Sequence, residues 1–135
     1  MITVVFACVH NAGRSQMAAA LFNRAADPAR ARAISAGTSP GERVHPEVVT
    51  VMTEIGADLT GIAPQRLTAD LARGAAWLIT MGCGDQCPFV AGARVEDWPL
   101  PDPKGRPLAE VRTIRDDIAG RVADLVAREG WTRDS

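Results

Sequence analysis

Three apolar residues, Val4, Val5 and Phe6, lead straight into the loop Cys8-Val9-His10-Asn11-Ala12-Gly13-Arg14-Ser15, and from Ser15 the apolar period changes. A short β-branched run closed by a glycine-containing loop reads as a buried strand. Beyond the loop, Met17, Ala18, Leu21, Phe22 and Ala25 recur at helical spacing, with Gln16, Asn23 and Arg24 on the other faces. A strand that feeds a tight loop into a helix restricts the fold to a few architectures, because the next parallel strand must be reached by a crossover.

The same alternation continues. Ala31 to Ser35 suits a second strand closed by Gly37, followed by the turn-rich Thr38-Ser39-Pro40-Gly41. His45-Pro46 opens a helix in which Val48, Val49, Met52 and Ile55 share a face and which Gly56 stops. Thr68 is an N-cap for a short helix through Leu71 and Ala72, ended by Gly74, before a strand over residues 76–80. A further strand over residues 94–97 precedes a loop punctuated by Pro99, Pro101, Pro103, Gly105 and Pro107. Leu108, Val111, Ile114, Ile118, Val122, Leu125 and Val126 mark a last helix, whose charges read as a solvated face. The expectation is one α/β domain over residues 1–135, with a parallel sheet between helices and the strand-following loops gathered at its carboxyl edge.

A chain of 135 residues with 47% hydrophobic composition can bury one core. Fifteen basic and sixteen acidic residues leave a formal charge of −1, which provides no field for nucleic acid or an anionic membrane. No basic, apolar leader and no run of membrane-spanning length is present, so the expectation is a cytoplasmic protein. There the three cysteines would be held reduced, and they point to chemistry or metal rather than to a disulfide framework.

At the loop, successive backbone N–H groups between a strand and a helix N-terminus form an anion cradle spanning Val9, His10, Asn11, Ala12, Gly13 and Arg14. Arg14 supplies a planar fork of donors suited to a tetrahedral oxyanion, and Gly13 permits the tight turn. Cys8 then faces a helix N-terminus, a guanidinium and the Ser15 hydroxyl, all of which favour thiolate over thiol. Cys8 is the candidate nucleophile. His10 has two readings: an acid or base, or a loop position whose backbone matters more than its ring.

Expelling oxygen from a tetrahedral centre requires a proton donor. Asp102, held between Pro101 and Pro103, is the candidate acid, with Asp97 and Asp116 as competitors and a plain turn aspartate as the alternative. Cys83 and Cys87 stand four positions apart beside Gly82 and Gly84, on a segment that can deform enough for the thiols to pair. They are redox groups, structural residues, or ligands of a soft metal with Cys8 and His10; an arginine in the same pocket opposes a cation. Trp98 and Trp131 are core, interface or docking residues.

Three blocks resemble the low-molecular-weight protein tyrosine phosphatase family, and within it the arsenate reductases that use intramolecular cysteines: residues 8–18, Ser35-Ala36-Gly37, and residues 79–88. Asp102-Pro103 and Arg115-Asp116 support them. The resemblance implies a three-layer sandwich with a central four-stranded parallel sheet flanked by helices. It also implies an arsenic-detoxifying enzyme in which Cys8 attacks arsenate, Asp102 protonates the departing oxygen, and Cys83 and Cys87 relay a disulfide to a thioredoxin-like partner. Ser15 would stabilise the thiolate, while Asn11 and Ser35 would hold the loop in shape. No bound cofactor or metal is implied; reducing equivalents would come from thioredoxin or a low-molecular-weight thiol, and phosphate and sulfate would mimic the substrate.

Two departures bear on this resemblance. Lys104 stands where the tyrosine phosphatases carry an aromatic residue, and the chain has no tyrosine. Gln65 stands near where some related reductases carry an acidic residue that helps bind potassium. A phosphate-monoester hydrolase with weak or full activity, and a non-enzymatic metal- or metalloid-binding module, are the alternative functions.

Overall fold

The computed structural model describes residues 1–82 and 92–133. Cys83 and Cys87 therefore lie outside the described residues. Four strands, β1 (Ile2–Cys8), β2 (Ala31–Gly37), β3 (Trp77–Thr80) and β4 (Arg94–Asp97), form one parallel sheet in the order β2-β1-β3-β4. Among the described residues four helices accompany them: α1 (Arg14–Ala25), α2 (Pro46–Glu54), α3 (Ala69–Ala72) and α4 (Leu108–Arg128). Strand order turns back on itself at β1, whose two neighbours are reached by crossovers to opposite sides. The crevice for a ligand in such a sheet lies beyond the carboxyl end of the strand at that reversal, and Cys8 ends β1.

β1 is buried on both faces, which is why its sequence is nearly all apolar rather than alternating. Val4, Phe6 and Cys8 face a large core shared with Met17 and Phe22 of α1, Val48 and Met52 of α2, and Ile118 and Leu125 of α4. Val5 and Ala7 face a smaller core with Leu67, Ala72 and Leu78 under α3. The sheet is thus flanked by helices on both faces, with the heavier layer on the α1 side. Trp98 and Trp131 are buried, so both belong to the core: Trp98 packs on Phe6 at 5.5 Å, and Trp131 on Phe22 at 5.9 Å between ring centroids.

The local signals act as the sequence suggests. Thr68 caps α3 by accepting from the Leu71 N–H at 3.0 Å, and Gly56 and Gly74 follow α2 and α3 with positive φ. Two details differ. α2 buries Val51, with Val49 only partly buried, because Val51 and Met52 together continue the stripe begun by Val48. Arg115 of α4 is not on a solvated face: it is buried, donating to the Val51 carbonyl at 2.9 Å and to Glu54 at 3.0 Å, so it ties α4 to α2.

Candidate active site

From Cys8 to Gly13 every backbone carbonyl has a donor. Cys8, Val9, His10 and Ala12 accept from the N–H groups of Thr38, Ser39, Gly41 and His45, at 3.1, 2.8, 2.9 and 2.9 Å. Asn11 accepts from Gln16 Nε2 at 3.0 Å, and Gly13 from the Met17 N–H at 3.0 Å, the first bond of α1. In a trans peptide the C=O and the following N–H point opposite ways, and no cis bond is present among the described residues. With the carbonyls held by the 38–45 segment and by α1, the amides turn away from those partners. The Asn11 N–H reaches the Cys8 sulfur at 3.2 Å. This requires Asn11 to adopt φ of 51°, the one non-glycine residue with positive φ among the described residues, a conformation that asparagine tolerates better than most.

Ser15 Oγ lies 2.8 Å from the same sulfur and itself accepts from Asn11 Nδ2 at 2.8 Å. Asn11 Oδ1 accepts from Gln16 Nε2 at 3.1 Å and from the Gln65 N–H at 2.9 Å. Gln65 is delivered by a short parallel bridge in which Gly37 donates to the Gln65 carbonyl and accepts from the Leu67 N–H. Its side chain donates to the Ser35 carbonyl at 2.8 Å, so Ser35 supports the loop through its backbone. Gly37 is required there: a Cβ would stand 2.6 Å from the Val9 carbonyl oxygen and 2.9 Å from the Asn11 nitrogen.

Gly82 after β3 and residues 100–103 after β4 stand against the cradle. One Arg14 N–H is spent on the Leu100 carbonyl at 2.8 Å, leaving further donors of its fork for a ligand. Gly82 backs the guanidinium so closely that a Cβ would meet Arg14 Nη1 at 2.5 Å. A Cβ on Gly13 would meet Pro103 Cγ at 2.8 Å and His45 Cδ2 at 3.4 Å. Asp102, next to Pro103, is thereby held at the rim, exposed, with Oδ1 accepting from the Lys104 N–H at 3.0 Å. His10 is exposed and its ring bonds the Ser39 carbonyl at 3.1 Å, a bracing contact on the outer side of the loop. Asp116 pairs with Arg115 and Asp97 accepts from Thr80 at 2.7 Å, so neither competing carboxylate is aimed at the cradle.

His45, Gln16 and Gln65 are site residues that sequence reasoning missed. His45 starts α2, contacts the cradle wall, and is held below the ordinary histidine value by burial, against the opposing pull of Glu47 and Asp102. The outer position of Gln16 in the helical pattern concealed its role; a polar residue one place after the loop serine was the available signal. Among the described residues no cluster of three or more metal-ligating side chains occurs, and no helix is long and apolar enough to cross a membrane.

Comparison with known proteins gives the family to which this fold belongs. Residues 3–131 match the family described as low molecular weight phosphotyrosine protein phosphatase. A curated relative from Halobacterium salinarum, a putative arsenate reductase, is 40% identical over 89% of this chain and 87% of its own. The glutaredoxin arsenate reductase of a Synechocystis species is 34% identical over 95% and 98%. Among solved structures, a thioredoxin-dependent arsenate reductase of Corynebacterium glutamicum superposes with a TM-score of 0.82 at 38% identity; 95% of this chain is covered, but it spans only 61% of that one. An arsenate reductase in an oxidized state gives 0.82 at 31% identity, over 95% and 98%. The chain thus belongs to the low molecular weight phosphotyrosine protein phosphatase family, among relatives that are arsenate reductases.

Proposed function

We propose that this protein reduces arsenate to arsenite. The observation that carries the reading is the Cys8 sulfur, bonded by the Ser15 hydroxyl and the Asn11 amide at the centre of the cradle, with Arg14 backed by Gly82 and Cys83 next in the chain. A phosphate ester could be hydrolysed with Cys8 alone; the thiols following Gly82 and the relatives' activity favour reduction.

In the first step the Cys8 thiolate attacks arsenic(V), a sulfur–arsenic bond forms, and an oxygen leaves as water, protonated by Asp102. The cradle amides and Arg14 hold the remaining oxygens and oppose their charge. The Cys83 thiolate then attacks the Cys8 sulfur. The electron pair of the sulfur–arsenic bond passes to arsenic, arsenite departs, and a Cys8–Cys83 disulfide remains. Cys87 next attacks Cys83, which frees Cys8 as thiolate and leaves a Cys83–Cys87 disulfide. A thioredoxin-like protein, or a low-molecular-weight thiol system, returns that disulfide to two thiols. The site needs no bound cofactor or metal, and the reaction suits a reducing compartment, the cytoplasm. Residues 1–135 act as one catalytic domain.

Arsenate-dependent oxidation of reduced thioredoxin should fall to background in Cys8→Ser and in Cys83→Ser. Incubation of the reduced protein with arsenate alone, followed by non-reducing digestion and mass spectrometry, should yield a Cys83–Cys87 disulfide. Full turnover in Cys83→Ser would remove the internal relay, and phosphate-ester hydrolysis without arsenate-dependent oxidation would make the protein a phosphatase.

A further inference from the structure

Two backbone groups of unambiguous polarity fix the hydrogen-bond directions around Cys8. The Asn11 carbonyl can only accept, so the Gln16 amide must present its NH2 group there. The Gln65 backbone N–H can only donate, so the Asn11 side chain must present Oδ1 to it. The second Gln16 N–H fills the other lone pair of that oxygen. Asn11 Nδ2 is then left to donate to Ser15 Oγ, and the serine proton has the Cys8 sulfur at 2.8 Å as its acceptor. Asn11 and Ser15 are fully buried and Gln16 is 5% exposed, so water does not supply an alternative set of partners. Reversing the Asn11 amide would set its NH2 against two N–H donors.

We propose that Gln16 is a positioning residue for the nucleophile: by completing, with the Gln65 N–H, the lock on the Asn11 amide and its backbone, it directs the Ser15 hydroxyl proton onto Cys8. The inference rests on Cys8 being the nucleophile. It does not depend on which oxyanion is attacked. Gln16 sits on α1, one residue after Ser15, so the helix itself sets the distance between the lock and the hydroxyl it aims. Gln65, on the segment bridged to Gly37, provides the second donor but not the bond to the Asn11 carbonyl.

The test uses the full chain carrying Cys83→Ser and Cys87→Ser, in which Cys8 is the sole thiol, and follows its alkylation rate by iodoacetamide against pH. Gln16→Met, similar in volume but without the donors, should slow the reaction by up to about tenfold on the acid side of the parent's profile, roughly the effect of losing one hydrogen bond to the thiolate. In a Ser15→Ala background, adding Gln16→Met should slow it no further, because there is no hydroxyl left to aim. Gln16→Ala, which removes the donors without adding charge or bulk, gives the same effect and the same loss of effect with Ser15→Ala, and serves if the methionine variant does not fold. A folded Gln16→Met protein whose profile superimposes on its parent overturns the proposal. So does a slowing that persists undiminished beside Ser15→Ala, which would mean that Gln16 only braces the Asn11 backbone. No arsenate is used, so failure of arsenate reduction leaves this result standing, whereas a parent Cys8 that alkylates like an ordinary exposed thiol sinks the nucleophile reading itself.

Discussion

The Cys8 sulfur and the Ser15 hydroxyl lie 2.8 Å apart, joined across the turn between β1 and α1 and both buried. The six residues between them, Val9 to Arg14, form the cradle, so the candidate nucleophile and the hydroxyl bonded to it are set by one local structure. Ser15→Ala should slow alkylation of Cys8 at neutral pH by about tenfold, because a hydrogen bond to a charged acceptor contributes ~1.5–3 kcal/mol. Unchanged alkylation in the folded variant would show that the Asn11 amide suffices.

Gly82 and Gly61 separate backbone strain from site geometry. Both have positive φ, at 99° and 81°, so alanine at either should cost about 1–2 kcal/mol of stability. Around Gly61 there is nothing within 4 Å, whereas at Gly82 the new Cβ meets the end of the Arg14 side chain. That end can swing away, so the extra effect should appear in binding rather than stability. Inhibition by phosphate should weaken at least severalfold in Gly82→Ala and stay unchanged in Gly61→Ala, with the two melting temperatures lowered alike.

His45 makes stability depend on pH. Burial holds its folded value below the unfolded one, so between the two the unfolded chain binds more protons. Stability is therefore complete above the ordinary histidine range, about pH 6.5, and falls as the pH drops through that value toward the lower, folded one. The groups facing it are Glu47, Asp102, Lys104 and His10. His45→Asn, which keeps an N-capping residue before α2, should flatten the melting temperature against pH across this window. An identical slope in the variant would assign the dependence elsewhere.

Glu54 joins α2 to α4 through a two-pronged pair with Arg112, at 2.7 and 3.0 Å, and a bond to buried Arg115. The hydrogen bond from Arg112 holds its carboxyl below the usual value, so its contribution is present at neutral pH and lost as the pH falls through the folded value. Glu54→Gln should lower the melting temperature at neutral pH, with the gap to the parent closing as the solution is made more acid than the carboxylate range. Arg115→Met should lower it further at neutral pH, since it leaves the Val51 carbonyl without its donor.

Much of the site was legible locally. Strand, loop and helix are consecutive, so the order Val4 to Met17 contains the cradle, the candidate nucleophile, the arginine and the serine at distances that backbone geometry fixes. Burial periodicity likewise placed the strands and helices, since an amphipathic face shows its period whatever it packs against. Arg115 escaped because a single arginine in a charged helix has the same periodic signature whether it faces solvent or a neighbour's carbonyl. Gln65 and His45 escaped because their partners stand 54 and 33 positions away, at Asn11 and Ala12.

The sequence by itself determined that Cys8 ends a buried strand, faces the N-terminus of a helix, and has Arg14 and Ser15 within one turn. Only the tertiary structure decided which way the loop's peptides face, because that depends on donors from residues 38–45 taking the carbonyls outward. It alone also decided that Pro103 and Gly82 would stand against Gly13 and Arg14, contacts that three strand-following loops make only once the parallel sheet has brought their carboxyl ends to the same edge.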